Sequence, residues 1–167
     1  TRPQYSPEVR GWLSEYEKKY GPRGESDLTT EKVPIDWTCG NVRVIDVRRL
    51  SGTTDRGAWP LSPQITSQWI KDYESQNGEL KPNDVVLFQT GVVDRYLALP
   101  ADKNGDLGVG LWSDALSRKV EGWPALSPEA IFYLHSKGIR CVGTDAPDLG
   151  GVHPKDALMT YWALGSK

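Results

Sequence analysis

A histidine and two aspartates near the end of the 167-residue chain are the residues best suited to chemistry. Asp145 and Asp148 lie in the segment TDAPD, and His153 follows the pair Gly150-Gly151. A neutral imidazole is a common ligand of divalent transition metals. Two interpretations of His153 remain open: a metal ligand, or a histidine at a helix start held by hydrogen bonds. Closed metal sites need three or four ligands, so this segment alone predicts an incomplete site.

A helix, a strand and a turn precede these residues and must position them. Ser127-Pro128 is typical of a helix start, because serine caps the first turn and proline loses no hydrogen bond there. Gly138 is typical of a helix end, and Ile139–Gly143 predicts a short strand. The two aspartates therefore follow the carboxyl end of a strand, where α/β domains tend to bind ligands.

The rest of the chain predicts alternating helices and strands. Helices are expected to start at Ser6-Pro7, Ser62-Pro63, Trp112 and Pro154, and strands are expected at Asn41–Val47 and Val85–Gln89. An extended piece is expected at Tyr96–Leu99, with long loops at 22–40, 48–61 and 91–122. This order predicts an α/β domain with its strands in one sheet. The apolar face of the first helix must pack either on this sheet or on a neighbouring subunit.

Composition limits the classes of function. A net charge of -2 and a mean hydropathy of -0.51 indicate a globular protein with no electrostatic reason to bind nucleic acid or an acidic membrane. No apolar run approaches the ~20 residues that span a bilayer. Cys39 and Cys141 stand in no metal or redox spacing. They are expected to be buried thiols in a reducing compartment, which predicts a cytoplasmic protein.

Aromatic residues and motifs add further expectations. Trp59, Trp112 and Trp123 on the long loops are expected to line a pocket that accepts aromatic molecules, or else to pack in the core or a subunit interface. The turn Asp102–Asp106 has its glycine in the wrong place for a calcium loop. His135 is expected to be a solvated residue on a polar helix face. No HExxH, GxSxG, phosphate-loop or GxGxxG motif is present.

Three segments resemble the cyclase family of metal-dependent hydrolases, which includes bacterial kynurenine formamidase and isatin hydrolase. They are IDWTCGNVRVIDVRRL at 35–50, ELKPNDVVLFQTG at 79–91 and WPALSPEAIFYLHSKGIRCVGTDAPDLGG at 123–151. Their order and spacing are similar to two strands of the family and to the helix, strand and turn that precede a histidine. The resemblance implies a cyclase-like α/β fold, a sheet packed with helices, with 1–167 belonging to one domain.

Some elements of the family pattern are absent from these 167 residues. The metal motif HxGTHxDxP would lie upstream of Thr1, and a glutamate ligand would follow the last helix. Asp148 also stands where the family usually has serine. The resemblance therefore implies the central portion of a domain that is incomplete without its flanking N- and C-terminal segments, because the polypeptide was cleaved or because the chain is longer. Of the metal-ligand residues, the resemblance carries over only His153.

The function that the resemblance implies is hydrolysis of an amide or lactone bond in a small molecule. A Zn²⁺ or Mn²⁺ ion would be held mostly by ligands outside this chain, with His153 as a ligand or as a support to one. The alternative is a catalytically inactive cyclase-like scaffold or binding subunit. A sugar- or nucleotide-binding domain is disfavoured, because no glycine-rich phosphate loop is present. Aromatic surfaces on the first helix and the tryptophan-rich loops predict a homo-oligomer.

Overall fold

The computed structural model describes residues 5–23, 28–98 and 109–166. Its helices are α1 Pro7–Tyr20, α2 Ser67–Asn77, α3 Val92–Ala98, α4 Val109–Leu116, α5 Pro128–Ser136 and α6 Pro154–Gly165. Its strands are β1 Val42–Asp46, β2 Gln64–Ile65, β3 Val85–Gln89, β4 Ala125–Leu126 and β5 Cys141–Thr144. Short 3₁₀ helices lie at Thr30–Lys32, Ile35–Thr38, Arg48–Leu50 and Arg56–Ala58. The α/β class expected from the sequence is confirmed.

The strands form two parallel sheets. The larger sheet has the order β1-β3-β5, so the central strand β3 pairs on both sides. On one face of this strand Val86 and Phe88 are fully buried, whereas Leu87 on the other face is 37% exposed. The three strands that the sequence predicts therefore do lie in one sheet. The second sheet contains only β2 and β4, whose two-residue lengths leave no alternation for a sequence pattern to reveal.

The expectation that a helix starts at Ser62-Pro63 is wrong. Gln64 and Ile65 form β2, and α2 begins at Ser67. Two backbone hydrogen bonds hold β2 against β4. The Ala125 amide donates to the Pro63 carbonyl at 2.9 Å, and the Ser127 amide donates to the Ile65 carbonyl at 3.1 Å. These contacts between distant parts of the chain outweigh the local helix-start signal.

Two further expectations change in the region between β3 and β4. Residues 96–98 are not extended, because they complete α3, while Leu99 and the turn Asp102–Asp106 lie outside the described residues. The helix expected from Trp112 to Lys119 instead spans Val109–Leu116. Arg118 adopts a positive φ of 65°, which cannot continue a right-handed helix, so α4 ends before it.

The first helix packs on its own chain. Ser6 caps α1 by accepting a hydrogen bond from the Val9 amide at 3.3 Å. Tyr16 is buried with its ring centroid 5.6 Å from that of Trp162 in α6, and Tyr20 lies 5.4 Å from Phe132 in α5. The aromatic face of α1 is therefore part of the core and does not support a subunit contact. The homo-oligomer stays a prediction.

One face of the larger sheet carries exposed apolar side chains. Val42, Val44 and Leu87 are 56%, 49% and 37% exposed, whereas Ile45 and Phe88, which point the other way, are buried. Side chains alternate between the two faces of a strand. The helices therefore cover the face that carries Ile45 and Phe88, and within the described residues the other face has little cover. Isolated exposed apolar residues are common, but three on neighbouring strands form a patch.

The two cysteines differ in their surroundings. Both are free, but Cys39 is exposed and Cys141 is half-buried. The expectation of two buried thiols is therefore wrong, because Cys39 follows the surface 3₁₀ helix Ile35–Thr38 and precedes the sheet. No helix in the described ranges is both long and apolar enough to cross a membrane. The cytoplasmic location remains a prediction.

A hydrogen-bonded cluster joins α1 to the start of α5. Glu129 accepts hydrogen bonds from Lys19 Nζ at 2.9 Å and from Tyr20 Oη at 2.6 Å. Burial acts to raise the pKa of Glu129, but the hydrogen bonds from Tyr20 and Lys19 outweigh it and lower the pKa from 4.5 to about 2. The carboxylate also lies in the first turn of α5, where negative charge is favoured.

We expect Glu129→Gln to weaken the dependence of stability on acid pH. A depressed folded-state pKa stabilises the protein above the unfolded value of 4.5, and this stabilisation is lost as the pH falls towards about 2. The melting temperature of the native protein should therefore fall more steeply over that window than that of the variant. Glu15→Gln serves as the control, because Glu15 pairs with Lys155 of α6 in a comparably exposed position. If the melting temperatures of the native and Glu129→Gln proteins fall equally steeply as the pH is lowered, the expectation is contradicted.

Candidate active site at the carboxyl edge of the sheet

Asp145 joins the ends of two neighbouring strands. Its Oδ1 accepts hydrogen bonds from the Thr90 amide at 2.6 Å and the Thr90 hydroxyl at 2.7 Å, and its Oδ2 accepts one from the Gly91 amide at 2.9 Å. Thr90 and Gly91 follow β3, whereas Asp145 follows β5. This carboxylate lies where the sequence predicts ligand-binding groups, but its bonds hold the backbone of the strand edge.

Asp148 organises the turn that leads to the histidine. Its Oδ1 accepts hydrogen bonds from the Gly150 amide at 2.7 Å and the Gly151 amide at 2.9 Å, and Trp123 Nε1 lies 3.4 Å away. Gly151 has a φ of 75°, and a Cβ there would lie 2.6 Å from Ser62 Oγ. The turn therefore requires glycine for both its conformation and its space.

His153 lies at the N-cap of α6, directly after this turn. The residue is half-buried, and its Nδ1 atom is fully buried with no hydrogen-bond partner among the described residues. Its side chain makes no capping hydrogen bond. The hydrogen bonds that would explain the histidine as a purely structural residue are therefore not seen at Nδ1. A buried nitrogen left without a partner is costly, and a metal ion or another group would satisfy it.

A pocket of about 520 Å³ is lined in part by Trp123, whose indole nitrogen lies 3.4 Å from Asp148 in the turn before the histidine. Trp59 and Trp123 both line it, as predicted for a tryptophan-lined pocket, while the side chain of Trp112 lies outside the described part. Val152 packs against Trp123 and two other lining residues, Val92 and Ala115. Val152 immediately precedes His153 in the chain, but His153 itself is not among the described residues that line the pocket. The volume of the pocket lies within the range that is typical of small-molecule sites.

Charged groups at the pocket come from three different loops and helices. Arg56 and Arg95 line it together with Glu121. The Glu121 carboxylate accepts hydrogen bonds from the backbone amides of Gly52 and Thr54, the latter at 3.1 Å. Glu121 therefore holds the loop after β1 against the segment before β4. The sequence gives no motif for these three residues, and the only available signal is their position on long loops rich in glycine and tryptophan.

The described residues contain one candidate metal ligand of the predicted kind and no complete site. No three side chains of histidine, cysteine, aspartate or glutamate come together within those ranges. The second histidine, His135, is half-buried near the end of α5, with its Nε2 3.4 Å from Arg140 Nη1. It is thus less solvated than expected. The metal role of His153 stays a prediction.

Comparison with known proteins identifies the family. The model of the family described as "Putative cyclase" matches residues 14–150, which is most of the chain. Isatin hydrolase of Roseibium aggregatum is 28% identical over 137 residues, which cover 77% of this chain and 44% of that protein. The chain therefore belongs to the cyclase family, as the three sequence segments indicate.

One solved structure supports the same fold class. The crystal structure of a novel cyclase aligns with a TM-score of 0.50 at 18% identity, covering 76% of this chain and 37% of that one. An isatin hydrolase bound to the product analogue thioisatinate aligns with a TM-score of 0.49 at 24% identity, covering 90% and 51%. At 18% identity, the likeness to the novel cyclase supports the fold alone. This chain spans about half or less of the length of the relatives it matches.

Proposed function

We propose that this chain forms part of the active site of a metal-dependent hydrolase that opens an amide or lactone bond in a small aromatic molecule. Membership of the cyclase family and the likeness to isatin hydrolase support this reaction class. The observation that carries the proposal is the pocket with tryptophan walls, one of which, Trp123, lies against the turn that leads to His153. Isatin, a cyclic aromatic amide, is the first substrate to test.

The donor set in the described residues fits one ligand of a divalent metal. The buried, unpartnered Nδ1 of His153 is suited to a Zn²⁺ or Mn²⁺ ion, or to an acceptor that orients the ring for metal binding through its other nitrogen. The remaining ligands would come from segments outside the described residues. When bound, such an ion supplies a Lewis acid for the scissile carbonyl and lowers the pKa of a coordinated water.

The residues of this chain have separate tasks in that reaction. Trp59 and Trp123 provide flat apolar walls that hold an aromatic ring and exclude water. Asp148 fixes the turn before His153, so the imidazole is held at a defined place relative to Trp123. Asp145 holds the loop after β3, which leads into the pocket wall at Val92. Rigid placement of the substrate relative to the reacting groups accounts for a large share of enzymatic rate enhancement.

The exposed face of the larger sheet extends the proposal. We infer that the exposed apolar patch of Val42, Val44 and Leu87 is covered by flanking segments of the same cyclase-like domain. Coverage of half or less of the matched relatives is consistent with this arrangement. A homo-oligomer would be the other source of cover, and sedimentation of the full-length protein distinguishes the two.

We expect His153→Ala to lower metal affinity and hydrolysis together. Loss of a ligand or of a residue that orients one should reduce both by about 10–100-fold. Metal content of the purified full-length protein is measured by elemental analysis and metal affinity by equilibrium dialysis. Hydrolysis of isatin is followed by the absorbance change on ring opening.

His135→Ala is the matched control, because it removes a half-buried imidazole from α5 without touching the pocket. It should retain metal and activity. Equal metal binding by the native protein and His153→Ala would contradict the assigned role of His153. A full-length protein that binds no stoichiometric metal would overturn the proposed function and leave the inactive scaffold as the explanation.

A further inference from the structure

We propose that Arg56 and Arg95 make the tryptophan-lined pocket a binding site for the carboxylate of a small aromatic anion. This inference rests on the proposed function, because it names the chemical class of molecule that the same site handles. Hydrolysis of a cyclic amide or lactone adds water across the acyl C–N or C–O bond. The acyl carbon keeps the added oxygen as a carboxylate, and the nitrogen or oxygen of the broken bond takes up a proton. The product of such a ring opening is therefore an aromatic carboxylate.

The charge of the pocket favours an anion. Arg56 and Arg95 both line it, and within the described part of the chain neither guanidinium pairs with a carboxylate. Glu121 is the one carboxylate among the described lining residues, and it is already bound by the amides of Gly52 and Thr54. Guanidinium groups present paired N–H donors that match the two oxygens of a carboxylate. Among the described lining residues, the pocket thus offers more positive than negative charge.

The aromatic walls favour a flat ring next to that anion. The guanidinium carbon of Arg56 lies 5.6 Å from the ring centroid of Trp59, so the side chain is held against the indole face. Stacking of this kind leaves the N–H edges of a guanidinium free to bind an acceptor. Trp123 lines the same pocket and offers a second apolar surface for the ring. The guanidinium that binds the carboxylate and the indole surfaces that bind the ring therefore lie next to each other.

Two buried polar atoms at the pocket lack partners. The Oγ of Ser51 and the Nε1 of Trp59 are inaccessible to solvent and make no hydrogen bond to any described group. Both residues line the pocket. A buried donor without an acceptor lowers the stability of the free protein, so its retention needs an explanation. Carboxylate or ketone oxygens of a bound ligand would be the missing acceptors after a small side-chain adjustment.

The volume agrees with a ligand of this class. A cavity of about 520 Å³ lies within the range of roughly 300–1,000 Å³ that is typical of sites for small molecules. It accommodates one substituted benzene ring with a short acidic side chain.

Binding of phenylglyoxylate to the purified full-length protein tests this inference. Titration calorimetry is done with EDTA present, so that binding through a metal ion does not contribute. We expect measurable binding of phenylglyoxylate and benzoate, and at least about tenfold weaker binding of neutral benzamide. Arg56→Gln and Arg95→Gln should each weaken phenylglyoxylate binding by about tenfold or more. Arg10→Gln, which changes an exposed arginine on α1 remote from the pocket, should leave it unchanged.

Ser51→Ala distinguishes a ligand-binding role from a structural one. Removing the unpartnered hydroxyl should raise the melting temperature of the free protein, while phenylglyoxylate binds more weakly. A merely structural serine would lower the melting temperature when replaced. Circular dichroism of each variant reports whether it has folded.

The inference is overturned if phenylglyoxylate does not bind at millimolar concentration, or if benzamide binds as tightly, or if both arginine variants bind like the native protein. These outcomes are separate from failure of the proposed function. A protein that hydrolyses isatin but shows none of these binding effects refutes only the arginine site. A protein that binds phenylglyoxylate through both arginines but neither holds metal nor hydrolyses isatin retains the site and loses the proposed reaction.

Discussion

Asp145→Ala is expected to destabilise the protein by roughly 2–4 kcal/mol and to lower its melting temperature by roughly 6–12 °C. The carboxylate accepts three hydrogen bonds from Thr90 and Gly91, and Thr90 is buried. Without it, the two amides and the hydroxyl lose their acceptors at the edge of the sheet. Buried donors left without acceptors account for the size of the effect. Thermal unfolding followed by circular dichroism measures it.

Asp145→Asn should cost nearly as much, although it keeps the shape of the side chain. The Thr90 amide donates to Oδ1 and the Gly91 amide donates to Oδ2. Either orientation of an asparagine therefore places its NH₂ group against a backbone N–H donor. Asp94→Asn, an exposed aspartate in the first turn of α3, is the matched control and should change stability little. An Asp145→Asn protein as stable as the native one would show that the bonds to Asp145 contribute little.

Asp145→Ala and Asp145→Asn should also weaken phenylglyoxylate binding. Thr90 Oγ1 accepts a hydrogen bond from the Val92 amide at 3.2 Å, and Val92 is part of the pocket wall. Once Asp145 no longer holds Thr90, the start of α3 and with it Arg95 lose their fixed position. Stability and binding should therefore fall together in both Asp145 variants.

Glu74→Ala is expected to destabilise the protein by roughly 2–4 kcal/mol, because the Leu80 amide and the Tyr133 hydroxyl lose their acceptor. Glu74 in α2 is buried and accepts hydrogen bonds from the Leu80 amide at 2.8 Å and from the Tyr133 hydroxyl. Lys137 Nζ lies 3.3 Å from the same carboxylate. Burial acts to raise the pKa of Glu74, but the bonds from Tyr133, Leu80 and Lys137 prevail and lower it. The residue therefore joins α2 to α5 as an anion.

Glu79→Gln is the matched control for Glu74. Glu79 also lies near Lys137, at 3.6 Å, but its side chain is 83% exposed. Exposed ion pairs contribute little, so this change should lower stability by less than about 1 kcal/mol. Urea unfolding of the two variants compares the buried and exposed partners of one lysine. Equal losses for Glu74→Ala and Glu79→Gln would contradict the importance of burial.

Local signals in the sequence predict the elements around the site well. Ser127 caps α5 by accepting a hydrogen bond from the Ala130 amide at 3.2 Å, and Gly138 closes it with a φ of 78°. The strand expected at Val85–Gln89 has these bounds in the structure. Caps, glycine turns and runs of apolar residues act within a few residues of each other, so their effect is visible in the sequence.

Contacts between distant segments decide the rest. The expected helix start at Ser62-Pro63 becomes a strand because β4 pairs with it, and Asp145 becomes a structural residue because the end of β3 lies beside it. Such pairings depend on neighbours in space, which no window of sequence contains.

By itself, the sequence determined the α/β class, the family and the elements leading to His153, and it predicts a metal role for that residue. Only the tertiary structure decided that Arg56 and Arg95 meet at one pocket with Trp59. It also decided that the aromatic face of α1 lies in the core. The physical reason is that helix and strand formation depend on nearby residues, whereas a pocket forms from side chains that only packing of the whole chain brings together.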